Sequence, residues 1–168
     1  MASVVVEPAG VEDAPGILHL MAVVGAEGQW IANEGPAMTV EQQRRLIQGL
    51  NPQDHLLLVA RAEGTVVGTL EMVRGPLPKM RHTATVGMAL LPDWRGQRLG
   101  ERLLRAAERW AAQVGVEKIS LSVFATNLPA IRLYRRLGYV EEGRRRGQYR
   151  IAGALVDELW MAKWSPFD

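Results

Sequence analysis

Two short stretches carry residue types whose spacing can do chemistry. The first, Pro92-Asp93-Trp94-Arg95-Gly96-Gln97-Arg98-Leu99-Gly100, is a Gly- and Arg-rich turn that opens directly into a helix-forming run. The second runs Asn127-Leu128-Pro129-Ala130-Ile131-Arg132-Leu133-Tyr134 and is followed by Gly138-Tyr139; it reads as a short capped helix carrying one tyrosine. Backbone N–H groups left without partners at a helix start bind phosphate. A tyrosine one element later can hand a proton to whatever the phosphate-bearing ligand carries. The pair points to group transfer from a phosphorylated carrier.

Charge is placed to suit such a carrier. The chain has a net charge of only +2, yet residues 91–150 hold 13 Lys/Arg against 6 Asp/Glu. The preceding residues 1–90 hold 6 against 9, and are acidic on balance. A basic block that coincides with both motifs is what an anionic ligand requires. The 168 residues, nearly half of them hydrophobic, suffice for one core and are expected to form a single domain, 1–168. With no cysteine there is no thiol nucleophile or thiolate metal site, and no His/Asp/Glu spacing suggests a metal. No apolar run is long enough for a membrane span, and the start lacks the pattern of a secretory signal, so a cytoplasmic location is expected.

The elements that must position the two motifs follow from local patterns. Residues 3–7 read as a strand and 11–24 as a helix; a Gly-rich loop then leads to Thr39, an N-cap for a helix ending near Leu50. Residues 55–62 and 65–73 read as a hairpin turning at Glu63-Gly64, and 81–91 as a third strand ending at Pro92. Leu99, Leu103, Ala106, Ala107, Trp110 and Val114 share one face of the next helix, opposite a charged face. A buried-type strand over 118–124, the Asn127 helix with Gly138 at its end, and two strands, one over roughly 139–142 extended by part of the following segment and one over 154–163, complete the chain. A strand–helix–strand crossover around residues 96–115 implies a mixed sheet.

Residues 82–139 resemble the GNAT superfamily of acyl-CoA-dependent N-acetyltransferases. The resemblance rests on a phosphate loop of the form Arg/Gln-x-x-Gly-x-Gly/Ala and on Asn-x-x-Ala-x-x-x-Tyr followed by a Gly-aromatic pair. It extends to the strand order of the whole chain. The segments 143–149 and 157–163 look most like the bacterial branch with amino-acid and phosphinothricin-type acetyltransferases. The resemblance implies an α+β, three-layer fold: a mixed, largely antiparallel sheet of about seven strands flanked by about four helices. It also implies acetyl-CoA as co-substrate, no metal, and a small-molecule amine as acceptor.

Site residues follow from the same resemblance. Arg95, Gly96, Gln97, Arg98, Leu99, Gly100 and Glu101 would meet the pyrophosphate. Met88, Ala89 and Leu90 would pair with the pantetheine arm at a bulge, the Leu90 N–H serving as oxyanion donor. Asn127 and Tyr134 would touch the coenzyme, and Tyr134 would protonate the leaving thiolate, although a core aromatic is its bland alternative. Arg98 stands where the family has glycine; an arginine is expected to fit with a negative φ and to add a charged contact. A base for the ammonium is sought in Glu71, His82, Glu27 or Glu34, and an already neutral amine would need none; with Trp30 these are also the acceptor-side residues. Asp157 and Glu158 of the last strand, which borders the cleft in the family, would add acid there, and Arg74 or Arg81 would hold a carboxylate on the acceptor.

Other classes have less to support them. The Arg144-Arg145-Arg146 run suggests nucleic acid, but only ten aromatics are present, without the interleaving of an RNA platform, so no nucleic-acid partner is expected. A protein N-terminus or lysine as acceptor, or a non-catalytic acyl-CoA-binding protein, are the remaining alternatives. A homodimer is compatible with the sequence.

Overall fold

The computed structural model describes residues 3–167. In chain order the elements are β1 (Val4–Pro8), α1 (Ala14–Ala26), α2 (Val40–Gln48), β2 (His55–Ala62), β3 (Thr65–Arg74), β4 (Thr83–Leu90), α3 (Leu99–Gln113), β5 (Lys118–Phe124), α4 (Leu128–Arg136), β6 (Val140–Ile151) and β7 (Ala154–Trp164). One seven-stranded sheet runs in the order β1-β2-β3-β4-β5-β7-β6. Every neighbouring pair is antiparallel except β4 and β5, which the α3 crossover makes parallel. The expected mixed sheet with four helices is thus present.

Two cores lie on opposite faces of the sheet. Leu99, Leu103, Leu104, Ala107 and Ala111 of α3 pack with Leu70, Met72, Ala84 and Val86 on one face, joined by Ile131 and Tyr134 of α4. The sequence does this by repeating apolar residues every three or four positions. Each of the three leucines, 3% exposed or less, is worth about 1.5–3 kcal/mol of burial. On the other face Ile17, Leu20 and Val24 of α1 meet Ile47, Val59, Val66 and Ala89. Gly16 lets α1 approach closely, since a Cβ there would lie 2.8 Å from Val66 Cγ2.

Local signals worked where the chemistry is strong. Thr39 Oγ1 accepts from the Gln42 N–H while the Thr39 N–H donates to Gln42 Oε1, a reciprocal cap. Glu63 and Gly64 both take positive φ (48° and 80°) in the β2–β3 turn, as a two-residue hairpin demands. One element differs from expectation: residues 11–13 form a separate 3₁₀ turn before α1. The expected extension of β6 runs through the arginines to Ile151.

Candidate active site

The site begins with a parting of strands. β4 and β5 pair only at Thr83–Thr85 against Lys118–Ser120. Beyond those pairs they diverge around a cleft of about 1310 Å³. On its other side β4 stays in regular register with β3 from Arg74↔Ala84 to Gly68↔Leu90. The expected bulge at Met88-Ala89-Leu90 is therefore absent; the one register shift nearby lies between β2 and β3, at Ala60/Arg61. The parting itself exposes the donors. Leu91 N–H bonds Val67 O, and Gly75 N–H bonds Thr83 O, so the odd-numbered residues of β4 face β3. Antiparallel ladders alternate, so Met88 and Leu90 turn their N–H groups toward the missing neighbour, into the cleft.

The next wall is the start of α3. The N–H groups of Leu99, Gly100 and Glu101 precede the first intrahelical bond, Arg102 N–H to Arg98 O (3.1 Å). Leu99, Gly100 and Glu101 line the cleft, as do Gly96 and Arg98. Arg98 corrects an expectation: it sits at φ 60°, in the left-handed region that the family's glycine would occupy without strain. Its guanidinium remains available to an anion. Gly100 is needed for fit, since a Cβ there would lie 3.0 Å from Leu133 Cδ2 and 3.2 Å from Met88 Cε. Arg105 and Arg136 add positive charge to this wall and hold Glu101 between them (3.1 and 3.3 Å). Those bonds, Arg105 first, keep the Glu101 carboxyl below its usual range. Gln97 lies outside the cleft, with its amide donating to Asp93 O.

Arg95 does something other than bind phosphate with its guanidinium. Its Nη1 and Nη2 pair with Glu27 at 2.8 and 3.1 Å. Its Nε and Nη2 also donate to Leu90 O (3.1 and 2.9 Å). The same group lies 5.6 Å from the Trp30 ring centroid. Glu27, expected at the acceptor, is consumed in this tie.

Across the gap, Asn127 caps α4 by accepting from the Ala130 N–H (3.3 Å). Tyr134 follows two turns later and lines the cleft. It is 8% exposed, and burial pushes its hydroxyl up to about 12, so it is a phenol throughout the neutral range. Its ring lies 5.9 Å from that of Tyr139. The Schellman close at Gly138 (φ 92°), with Tyr139 N–H on Tyr134 O, ends the helix there.

The opposite mouth of the cleft, on the α1 face of the sheet, is lined by Trp30, Ile31, Asn33, Gly87, Phe124, Tyr149 and Glu158. The loop after α1 folds back over the helix end; a Cβ on Gly25 would lie 2.7–2.8 Å from the backbone of residues 33–35. Of the two acids that the resemblance sets at the cleft border, Glu158 lines it, while Asp157 is taken up by Arg144 and the Gly147 N–H. The signal for Glu158 was a carboxylate in the strand phase of Val156, Trp160 and Ala162, the slot where an apolar side chain belongs.

Several expected residues lie elsewhere. Glu71 is half-exposed on β3 and paired with His55 at 2.6 Å; it does not itself line the cleft, although its cross-strand partner Gly87 does. His82 is exposed before β4 and Glu34 is exposed on the loop; neither lines the cleft. Arg74 donates to Arg81 O, and Arg81 pairs with Asp54, in a shallow depression away from the site. Among the described residues no group of His, Cys, Asp and Glu is gathered as a metal ion needs, and no helix is long and apolar enough to cross a membrane.

A cleft opened by splayed parallel strands, with free N–H groups on the strand and at a helix start, defines a protein that takes an extended, phosphate-bearing carrier edge-on. The acetyltransferase (GNAT) family matches residues 26–139, and the chain belongs to this family of acetyl-CoA-dependent N-acetyltransferases. An L-amino acid N-acetyltransferase of Escherichia coli is 31% identical over 110 residues, 63% of this chain and 66% of that protein. An N-alpha-acetyltransferase of Mycobacterium tuberculosis is 36% identical over 106 residues, 62% of this chain and 63% of that one. The matched segment thus spans about two thirds of each of these relatives. An acetyltransferase from Salmonella typhimurium, solved with its cofactor acetyl-CoA, superposes with a TM-score of 0.86 at 18% identity, covering 97% of this chain and 94% of that one; this likeness speaks to the fold.

Proposed function

We propose that the protein transfers the acetyl group of acetyl-CoA to the primary amine of a small molecule, an amino acid or a related amine, by direct attack in a ternary complex. The observation that carries the reading is the parting of β4 from β5 with the Met88 and Leu90 N–H groups turned into the gap. The free N–H groups at the start of α3, with Arg98, Arg105 and Arg136 beside them, suit the pyrophosphate and further phosphate charge. The Asn127 side chain, its oxygen engaged as the cap, keeps its amide nitrogen for the coenzyme. As the amine attacks the thioester carbon, the Leu90 N–H donates to the oxygen that becomes negative. The C–S bond then breaks, the Tyr134 hydroxyl gives its proton to the departing sulfur, and the proton lost by the amine nitrogen passes to solvent, from which the tyrosinate is reprotonated.

A small acceptor fits a loop folded back over the α1 face of the cleft, and the E. coli relative is named for L-amino acids. A peptide N-terminus is the second reading, favoured by the mycobacterial relative's name. Thiol release from acetyl-CoA, measured across amino acids, simple amines and peptides with free N-termini, tests both. Turnover on amino acids upholds the first reading, and turnover confined to peptides replaces it with the second. No thiol release with any amine would overturn the transfer reading.

A further inference from the structure

Resting on that reading, we propose that Glu158 is the group that recognises the acceptor's ammonium, and that Trp30 Nε1 receives an oxygen of the same molecule, so that the acceptor is a zwitterionic amino compound. Glu158 is 3% exposed yet lines the acceptor side of the cleft. Its carboxylate is held by three donors. Tyr149 Oη donates to Oε1 at 3.0 Å, Trp160 Nε1 donates to Oε2 at 3.0 Å, and Arg145 Nη1 lies 3.4 Å from Oε2. A carboxylate has about four lone-pair sites, so at least one is left, and Oε1 has a single partner. A buried carboxylate with open acceptor capacity on a cleft wall is matched by an N–H-bearing cation. The rings of Phe124 and Tyr149, with centroids 4.7 Å apart, flank the same mouth and favour a cation as well.

The device is built for this aim. β6 carries extra residues against β7 between Arg145↔Glu158 and Tyr149↔Val156. Gly147 turns there at φ 57°, and its N–H is stitched to Asp157 Oδ1 at 2.8 Å. That bulge re-aims Tyr149 so that its hydroxyl reaches Glu158. On the other side of the mouth, Trp30 Nε1 is buried without a hydrogen-bond partner, alone among buried side-chain nitrogens and oxygens of the described residues. An indole N–H is donor only, so what completes it is an acceptor atom such as a carboxylate oxygen. Glu27 and Arg95 fix the ring's surroundings and carry no free charge to it.

The test compares the wild type with E158Q and W30F on an amino acid and on the same amine lacking its carboxylate. A glutamine would tie β6 to β7 nearly as well but lacks the charge. E158Q is expected to raise the acceptor KM about tenfold or more while the acetyl-CoA KM stays put. W30F is expected to raise KM for the amino acid and leave the decarboxylated amine unaffected. If only peptides turn over, the small-molecule reading falls; the E158Q comparison is then made on the peptide's N-terminal ammonium and still decides Glu158. If E158Q does not fold, the wild type alone suffices, using the amidinium analogue of the acceptor, a cation that keeps its N–H donors, and its uncharged primary amide isostere as inhibitors. Stronger inhibition by the cation supports the assignment. Equal inhibition, or an unchanged acceptor KM in folded E158Q, overturns the ammonium site, and an unchanged amino-acid KM in W30F overturns the oxygen contact.

Discussion

Arg95 and Glu27 form a two-point pair that locks the end of α1 to the end of β4, Nη1 to Oε2 at 2.8 Å and Nη2 to Oε1 at 3.1 Å. Because Arg95 also grips Leu90 O, the pair spans the acceptor loop, the strand that offers the oxyanion donor, and the phosphate loop. Charge-assisted two-point contacts that are partly buried carry geometry as well as energy. Glu27→Gln is expected to raise the KM of both substrates together, roughly three- to tenfold for a loss of about 1 kcal/mol. Steady-state kinetics with each substrate varied in turn checks it. An effect confined to the acceptor would leave Glu27 as a plain binding residue.

Gly100→Asp is expected to abolish tight coenzyme binding while leaving the protein folded. The new Cβ would press on Leu133 and Met88, and the new carboxylate would face the phosphates beside the free N–H groups. Calorimetric titration with coenzyme A reads it; affinity should fall by roughly a hundredfold or more from repulsion and lost N–H contacts combined. Undiminished affinity would move the phosphate site elsewhere.

Tyr134→Phe should keep coenzyme affinity and lower kcat by roughly 10²–10⁴-fold, the usual scale for a lost general acid. Burial holds the hydroxyl protonated up to about 12, so kcat should not decline through neutral and mildly alkaline pH for want of that proton. The same shift, above the 10.0 of a free tyrosine, has a stability sign. Its contribution is full below pH 10.0 and is lost as pH rises toward about 12. A pH profile of kcat alongside thermal melts follows both.

Behind α3 the buried Glu108 accepts from Lys163 Nζ (3.1 Å) and from the Tyr139 hydroxyl (3.2 Å). Desolvation and the nearby Glu108 charge keep that tyrosine protonated. Lys163→Met strands a carboxylate that is 1% exposed, so a loss of about 3–5 kcal/mol is expected. Glu108→Leu with Lys163→Met should recover most of it, because the uncompensated charge, not the lost pair, is the main cost. Denaturant midpoints of the three proteins decide.

Much of this was legible because the relevant forces are local. Thr39, Glu63-Gly64, Asn127 and Gly138 specify caps and turns through their own side chains or freedom at positive φ. The α3 face follows from spacing alone. What the sequence hid was contact between distant elements. Glu71 is an acid on a strand near the site, yet His55 on the neighbouring strand takes it. Glu27 reads as a loop acid until Arg95, far along the chain, closes on it. The bulge expected in β4 was not needed, since divergence from β5 exposes the same N–H groups without breaking the ladder to β3. Glu158 and Tyr149 meet through a bulge whose residues read as a run of surface arginines.

Three residue pairs are all that join β4 to β5, so along that seam the sheet is two leaves on a short hinge. Its stiffness then depends on what fills the slot. A coenzyme laid along β4 would act as a splint, bonding Met88 and Leu90 on one leaf while resting on α4 beside the other. Hydrogen exchange should therefore slow at those two amides when acetyl-CoA is added, and the coupling between the leaves should tighten with it. The acceptor mouth, which borrows Gly87 and Trp30 from one leaf and Phe124, Tyr149 and Glu158 from the other, would take its working width only once the splint is in. Such a hinge favours an order of arrival, with the coenzyme first and the amine second.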